Sequence, residues 1–151
     1  MPAQGPPEQI EPNSLDDYLA VMSKAVFQGG MSWRVVEAKW PGIQAAFKNF
    51  DVHKVADFNE RDIEELSNDE RVIRNLRKLE AIVGNARRMI ALDEAHGSFR
   101  SYLRSHGDFD ATLGAIHKDF KFMGPMATYY FLYVVGEEVP SHEEFQAKYR
   151  K

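Results

Sequence analysis

The sequence predicts an all-α domain, and three observations carry that prediction. Apolar residues recur three and four apart along most of the chain, the repeat of a helix face packed on a core. Ser, Asp and Asn precede those stretches and Gly follows them, as helix starts and stops require. No stretch reads as a series of alternating strands. A chain of 151 residues with 44% apolar content suffices for one domain with a substantial core.

The elements follow in order. Met1–Asn13, with four prolines and Gly5, is expected to be a flexible lead-in, leaving residues 14–151 as a single helical domain. Ser14 is placed to cap a helix running to Gln28, with Leu15, Tyr18, Leu19, Met22 and Val26 as its stripe and Gly29-Gly30 as its end. Ser32 caps a second helix carrying Trp33, Val36, Trp40 and Ile43, which Pro41-Gly42 is expected to interrupt or kink. Phe47 and Phe50 continue the apolar pattern to Asp51, the cap of a short helix with Val52 and Val55. Asn59 caps Glu60–Leu66, whose first-turn acids suit the helix dipole. The longest periodic element runs from about Val72 to Ala95, with Ile73, Leu76, Leu79, Ile82, Val83, Ala86, Met89 and Ile90 inward and Gly97 as its stop. Ser98–Ser105 is a shorter helix, Asp110 caps the next, and Ser141-His-Glu-Glu144 has the form of a capping box for a last one.

Composition narrows the function classes. The absence of cysteine excludes a disulfide framework and a thiolate metal site, which suits a cytoplasmic protein. No apolar run is long enough to cross a bilayer, and the N-terminus lacks the basic, apolar, small-residue order of a signal peptide. The net charge of −4 is unevenly spread: between Arg71 and Pro125 ten Lys/Arg face six Asp/Glu, so the rest of the chain is strongly acidic. That basic stretch ends in Phe120-Lys-Phe-Met-Gly-Pro125, a tight turn between two helical patterns, with Leu113, Ile116, His117 and Phe120 ahead of it. Gly124 is placed to take backbone angles closed to other residues, and Pro125 suits a first helical position. The turn has two readings, a plain helix connection or a phosphate site built from main-chain N–H groups at a helix start. The basic stretch likewise reads either as solvated helix faces or as a phosphate-facing surface.

Four segments in register carry a resemblance. Phe27-Gln-Gly-Gly-Met-Ser-Trp33 resembles the FQAGLSW-like turn of the bacterial DNA-3-methyladenine glycosylase I family, and Asn49–Ala56 is similar to its HxFDPxKVA stretch. Val72–Arg87 resembles its IIRHRGKIxAIIxNAR helix, and Phe120–Gly124 its GFKFVG hairpin, with Tyr129 and Gly136 in matching places. The likeness spans about residues 14–142. It implies a compact two-lobed multi-helix fold of the helix-hairpin-helix DNA glycosylases, acting on double-stranded DNA that contains an alkylated base. The implied activity is that of a monofunctional N-glycosylase in base-excision repair, a bacterial cytoplasmic protein on the nucleoid when bound to DNA, monomeric and without cofactor or membrane contact.

The resemblance also assigns roles. Lys121, Phe122, Met123, Gly124 and Pro125 would hold a DNA phosphate. Trp33 would stack on the flipped base, Phe27, Gln28, Met31 and Trp33 together would form the base pocket and wedge, and Gln28 and Met31 would lie in the turn probing the duplex gap, with Met31 suited as the wedge. An N3-alkylated adenine is already cationic, so its departure needs no protonation, and aromatic faces or negative charge beside it suffice. The chain also departs from the pattern. Ala25 stands where the family has a base-contacting glutamate, and the family's YHDxEWG segment has no counterpart in Met1–Asn13. Glu37, one turn after Trp33, is a candidate replacement carboxylate, and His142 a candidate acid–base group; the alternatives are an exposed helical Glu and a capping-box His. The family's zinc uses two Cys and two His, so no metal is expected here. Two other functions stay open on these residues: a DNA- or lesion-binding module without excision chemistry, and a helical protein-interaction domain.

Overall fold

The computed structural model describes residues 7–149, and among these the regular structure is entirely helical. The order is α1 (Leu15–Gln28), α2 (Trp33–Ala46), a 3-10 turn (Lys48–Phe50), α3 (Val52–Ala56), α4 (Glu60–Ser67), α5 (Leu76–His96), α6 (Phe99–Leu103), α7 (Phe109–Asp119), α8 (Pro125–Val134) and α9 (His142–Tyr149).

Local chemistry sets most boundaries. Asp51 accepts from the His53 and Lys54 amides, Asn59 and Asp62 form a reciprocal capping box, and Ser141 and Glu144 form another. Gly97 ends α5 at φ 83°, a left-handed angle that favours glycine. Three expectations are corrected. The long helix begins at Leu76 rather than Val72, because the Asn75 side chain accepts from the Lys78 amide and fixes the start there. The cap of α7 is Asp108, bonded to the Ala111 amide at 2.8 Å, and Asp110 lies inside the first turn. Of the two outcomes open at Pro41, interruption is not seen: α2 runs through it to Ala46, a single missing N–H being tolerated where Val36 and Ile43 are fully buried on the opposite side.

One connected cluster of buried apolar side chains, reaching from Tyr18 to Val135, forms the core. Helix α5 runs through it and packs against α1, α3, α4 and α6, while α1 also packs against α8. Phe47, Phe50 and Trp40 stack in series, with ring centroids 5.2 and 5.3 Å apart. That stack holds Lys48, Asn49 and Phe50 at φ 58°, 56° and 56°, left-handed values that cost about 1–2 kcal/mol per non-glycine residue. The segment 7–13 has no regular structure but is tied down: the Ile10 amide donates to Val134 O at 2.8 Å, Gln9 Nε2 to Tyr133 O, and Pro12 is buried. The rest of the expected lead-in, residues 1–6, lies outside the described residues.

Candidate base-recognition site and DNA-facing hairpin

Helix α5 reaches two separate turns with polar side chains. At its start the Lys78 ammonium, only 6% exposed, donates to Phe27 O at 3.3 Å and Gly29 O at 2.5 Å. No carboxylate among the described residues accompanies it; burial lowers its pKa below the ordinary lysine value. The ammonium satisfies carbonyls that the end of α1 leaves open and fixes the turn through Gly30 and Met31. Two turns further along α5, Asn85 clamps the hairpin. Its Oδ1 accepts from the Lys121 amide at 2.8 Å and its Nδ2 donates to Lys121 O at 3.1 Å. Arg87, just beyond, donates to Ala56 O and Phe58 O.

The hairpin is held from its other side as well. Met123 is buried, and its carbonyl accepts from Thr128 Oγ1 at 3.2 Å with His117 Nδ1 at 3.3 Å. Between these two anchors Phe122 stands half exposed at φ 60°. The left-handed angle therefore falls on Phe122, and the expectation for Gly124 is corrected: its φ of −74° is open to any residue. A Cβ on Gly124 would meet nothing within 4 Å, so the fold itself makes no demand for glycine there. Pro125 is the first residue of α8, and no side chain caps that start. Among the described residues none accepts from the Phe122, Gly124, Met126 or Ala127 amides. Beside these open donors stands the exposed Lys121 side chain.

The second cluster lies at the start of α2. Trp33 is 50% exposed, so it is not the core residue that its place in the α2 stripe suggested. Its indole meets the Tyr130 ring of α8 edge to face, centroids 5.3 Å apart at 80°. Gln28 is buried beside that phenol, and its Nε2 has no hydrogen-bond partner among the described residues. The Tyr130 pKa is pushed up to about 12, by burial first and then by the Glu37 charge, with the Gln28 amide acting the other way. Glu37 is ion-paired with Lys24 at 2.7 Å, and the Lys24 ammonium also lies over the Trp40 ring.

Trp33 thus meets Tyr130, a residue to which the sequence assigns no role and whose phenol also feels the Glu37 charge. Its only signal was membership of the apolar run after Pro125. Met31 is partly exposed on the adjoining turn. Phe27 is corrected: it is fully buried against Phe47, because the last turn of α1 directs it inward, and it lines no open face. Ala25, 2% exposed, also faces the core. His142 is elsewhere, at the start of α9 against Gln146 and the Tyr129 ring. A zinc ion does not fit these residues, since the chain has no cysteine and no three His, Asp or Glu of the described residues converge. A cleft of about 480 Å³ lies at the far end of α7 and α8 from the hairpin, lined by Asp108, Glu137 and Glu138 around Arg104. Its acidic side chains oppose a phosphate.

Comparison with known proteins agrees with this layout. The model of the methyladenine glycosylase family matches residues 15–115. A solved 3-methyladenine DNA glycosylase I is 26% identical, with a TM-score of 0.74 over 84% of this chain and 81% of that one. The enzyme of the same name from Staphylococcus aureus, whose structure addresses recognition of 3-methyladenine, is 25% identical, with a TM-score of 0.75 over 85% and 80%. A third, solved in solution and concerned with alkylated-base recognition, is 28% identical, with a TM-score of 0.70 over 87% and 80%. With a family match over two thirds of its length and these relatives sharing its helical architecture, the chain belongs to the methyladenine glycosylase family.

Proposed function

We propose that this protein is a base-excision repair DNA glycosylase that extrudes an alkylated purine, of which 3-methyladenine is the type, and hydrolyses its N-glycosidic bond. Family membership supports the activity, and the half-exposed Trp33 indole, met edge to face by the Tyr130 ring, is the observation that carries the site. An exposed indole at the rim of a folded domain offers a flipped base a stacking surface, worth about 1–3 kcal/mol per base.

The reaction places few demands on the protein. In an N3-alkylated adenine nucleotide the ring carries a positive charge. Water adds to C1′ of the deoxyribose as the C1′–N9 bond breaks, the bonding pair returns to the ring and neutralises it, and the water's extra proton passes to solvent. The products are a neutral free base and an abasic sugar. The protein's share is to hold the cation, strip it of water and place negative charge near it. The Trp33 π-face and the Glu37 carboxylate are the groups that suit a cation. Lys24 holds that carboxylate in place, which makes Glu37 an electrostatic partner rather than a base that takes up the proton. His142 has no part in this arrangement.

DNA would be gripped at the hairpin. The open amides from Phe122 to Ala127 form an anion cradle, with Lys121 adding charge at its edge. Met31 on the turn braced by Lys78 is the side chain suited to enter the space left by the flipped base. The test is mass analysis of bases released from a panel of alkylated duplexes. Free 3-methyladenine supports the reading. Salt-sensitive binding with no free base from any duplex would replace it with the non-catalytic DNA-binding module that the buried Ala25 permits.

A further inference from the structure

The segment that leads into α5 is held in place from several sides. The Arg71 guanidinium bonds the Asp69 carboxylate through Nε at 3.0 Å and Nη2 at 2.7 Å, and the Lys39 ammonium of α2 donates to Glu70 O at 3.0 Å. A Cβ on Gly42 of α2 would meet the Arg71 Cβ at 3.0 Å, so this segment lies close against α2. Val72 is buried, and the Asn75 side chain joins the segment to α5 through the Lys78 amide. On this held segment Arg74 is exposed, as is Arg77, the second residue of α5. Neither has a carboxylate partner among the described residues, although Glu80 lies one turn beyond Arg77, and Asp69 is neutralised by Arg71.

We propose that Arg74 and Arg77 hold the backbone of the strand opposite the lesion. The inference rests on the glycosylase reading and adds a second grip on its DNA partner. Along α5 the order is Arg77, then Lys78 bonded to the turn that leads to Met31, then Asn85 bonded to the hairpin. Two strands wall every groove of a duplex, so a side chain that enters through a groove has one backbone on each side of it. The hairpin opens α8, and Tyr130 of the same helix meets Trp33, so a base stacked on Trp33 comes from the strand at the hairpin. The other strand then falls on the far side of the Met31 turn, where Arg74 and Arg77 stand. The dimensions agree. Arg77 and Asn85 are eight residues apart on one helix, about 12 Å of rise. That length spans a minor groove roughly 6 Å wide with a backbone on each side. The equally exposed Arg88 lies past Asn85 on α5, and Lys118 on the helix that enters the hairpin, so both belong to the hairpin's side.

The test measures duplex binding by fluorescence anisotropy across a salt series, for wild type and for the double variant Arg74→Gln, Arg77→Gln. Three duplexes carrying a stable abasic analogue are compared. One is unmodified, one has uncharged methylphosphonate linkages in the complementary strand facing the analogue, and one has them beside the analogue in its own strand. On the unmodified duplex the double variant is expected to bind about tenfold more weakly, with a slope of log K against log salt shallower by about 2. Its melting temperature should not change, since both side chains are exposed. The loss should vanish when the complementary strand is uncharged and persist when the analogue's own strand is. No loss on the unmodified duplex, a loss of the same size on all three, or one that vanishes only with the analogue's own strand would overturn the assignment. Base release by wild type would leave the glycosylase reading intact in each of those cases. A wild-type protein with neither salt-sensitive binding nor base release would overturn both.

Discussion

Trp33 shows why exposure decides a residue's role where periodicity does not. It shares the α2 stripe with Val36 and Ile43, yet those two are fully buried and Trp33 is half exposed. Trp33 is the first residue of the helix, beyond the edge of the core its neighbours enter, and spacing alone does not register that edge. The same limit hid Tyr130, which sits among apolar residues in sequence but meets Trp33 in space. Tyr130 also carries a pH signature. An unfolded tyrosine loses its proton near 10, and the folded Tyr130 near about 12. Between these values the unfolded state binds fewer protons, so this contribution is complete below pH 10 and is lost as the pH rises through 12. It amounts to about 2 kcal/mol. Tyr130→Phe is therefore expected to flatten the alkaline fall in stability, measured as urea unfolding midpoints on either side of about pH 11. Ala25→Glu, which puts a carboxylate at a buried position, should lower stability by about 2–5 kcal/mol unless the side chain turns to the pocket. Unchanged stability together with tighter 3-methyladenine binding would show that it does.

At the scale of elements, α5 acts as a ruler. From one helix Lys78 fixes the turn carrying Met31, and Asn85 fixes the hairpin, so the spacing of two residues on a rigid rod sets the spacing of the two turns. Asn85→Ala removes both bonds to Lys121 and is expected to cost about 1–3 kcal/mol and to weaken DNA binding roughly tenfold. Thermal melts and a fluorescence-anisotropy titration check the two parts. Lys78→Met removes a buried charge and two hydrogen bonds together. The Phe27 and Gly29 carbonyls then lose their donor, so stability should fall by about 1–3 kcal/mol and base release should fall as the Met31 turn loosens. A variant as active as wild type would show that the brace is unnecessary. The helices themselves were legible because caps and stripes are local chemistry: Ser98, Asn59, Asp51 and Gly97 all act where the sequence places them. The errors came from competition between neighbours of similar chemistry. Asp108 caps α7 instead of Asp110, and Asn75 starts α5 after an apolar pattern that had already begun at Val72. The hairpin shows the same limit, since its left-handed residue is Phe122, pinned on both sides, and not the glycine two residues on.

For the whole molecule, net charge is a poor guide to partners. Of the ten basic residues between Arg71 and Pro125, several act inside the protein: Lys78 and Arg87 bond carbonyls, Arg71 pairs with Asp69, and Arg104 with Glu137. Arg74, Arg77, Arg88, Arg100, Lys118 and Lys121 are exposed and have no carboxylate partner among the described residues, and of these Lys121 stands on the hairpin. Lys121→Glu should weaken duplex binding and lower the slope of log K against log salt by about 1, with no change in melting temperature. An unchanged slope would put the phosphate contacts elsewhere. The family was legible because its motifs lie on α5 and on the two turns it braces, where a few residue types have fixed partners. The proposed pocket was less so, because Trp33 of α2 and Tyr130 of α8 meet only in the folded chain. The most direct test of the account is single-turnover release of 3-methyladenine from methylated duplex DNA by wild type and Trp33→Ala. The account predicts release by wild type, a loss of about tenfold to a hundredfold in the variant, and a melting temperature changed by no more than the lost Tyr130 contact allows. Equal release by the two proteins would contradict it.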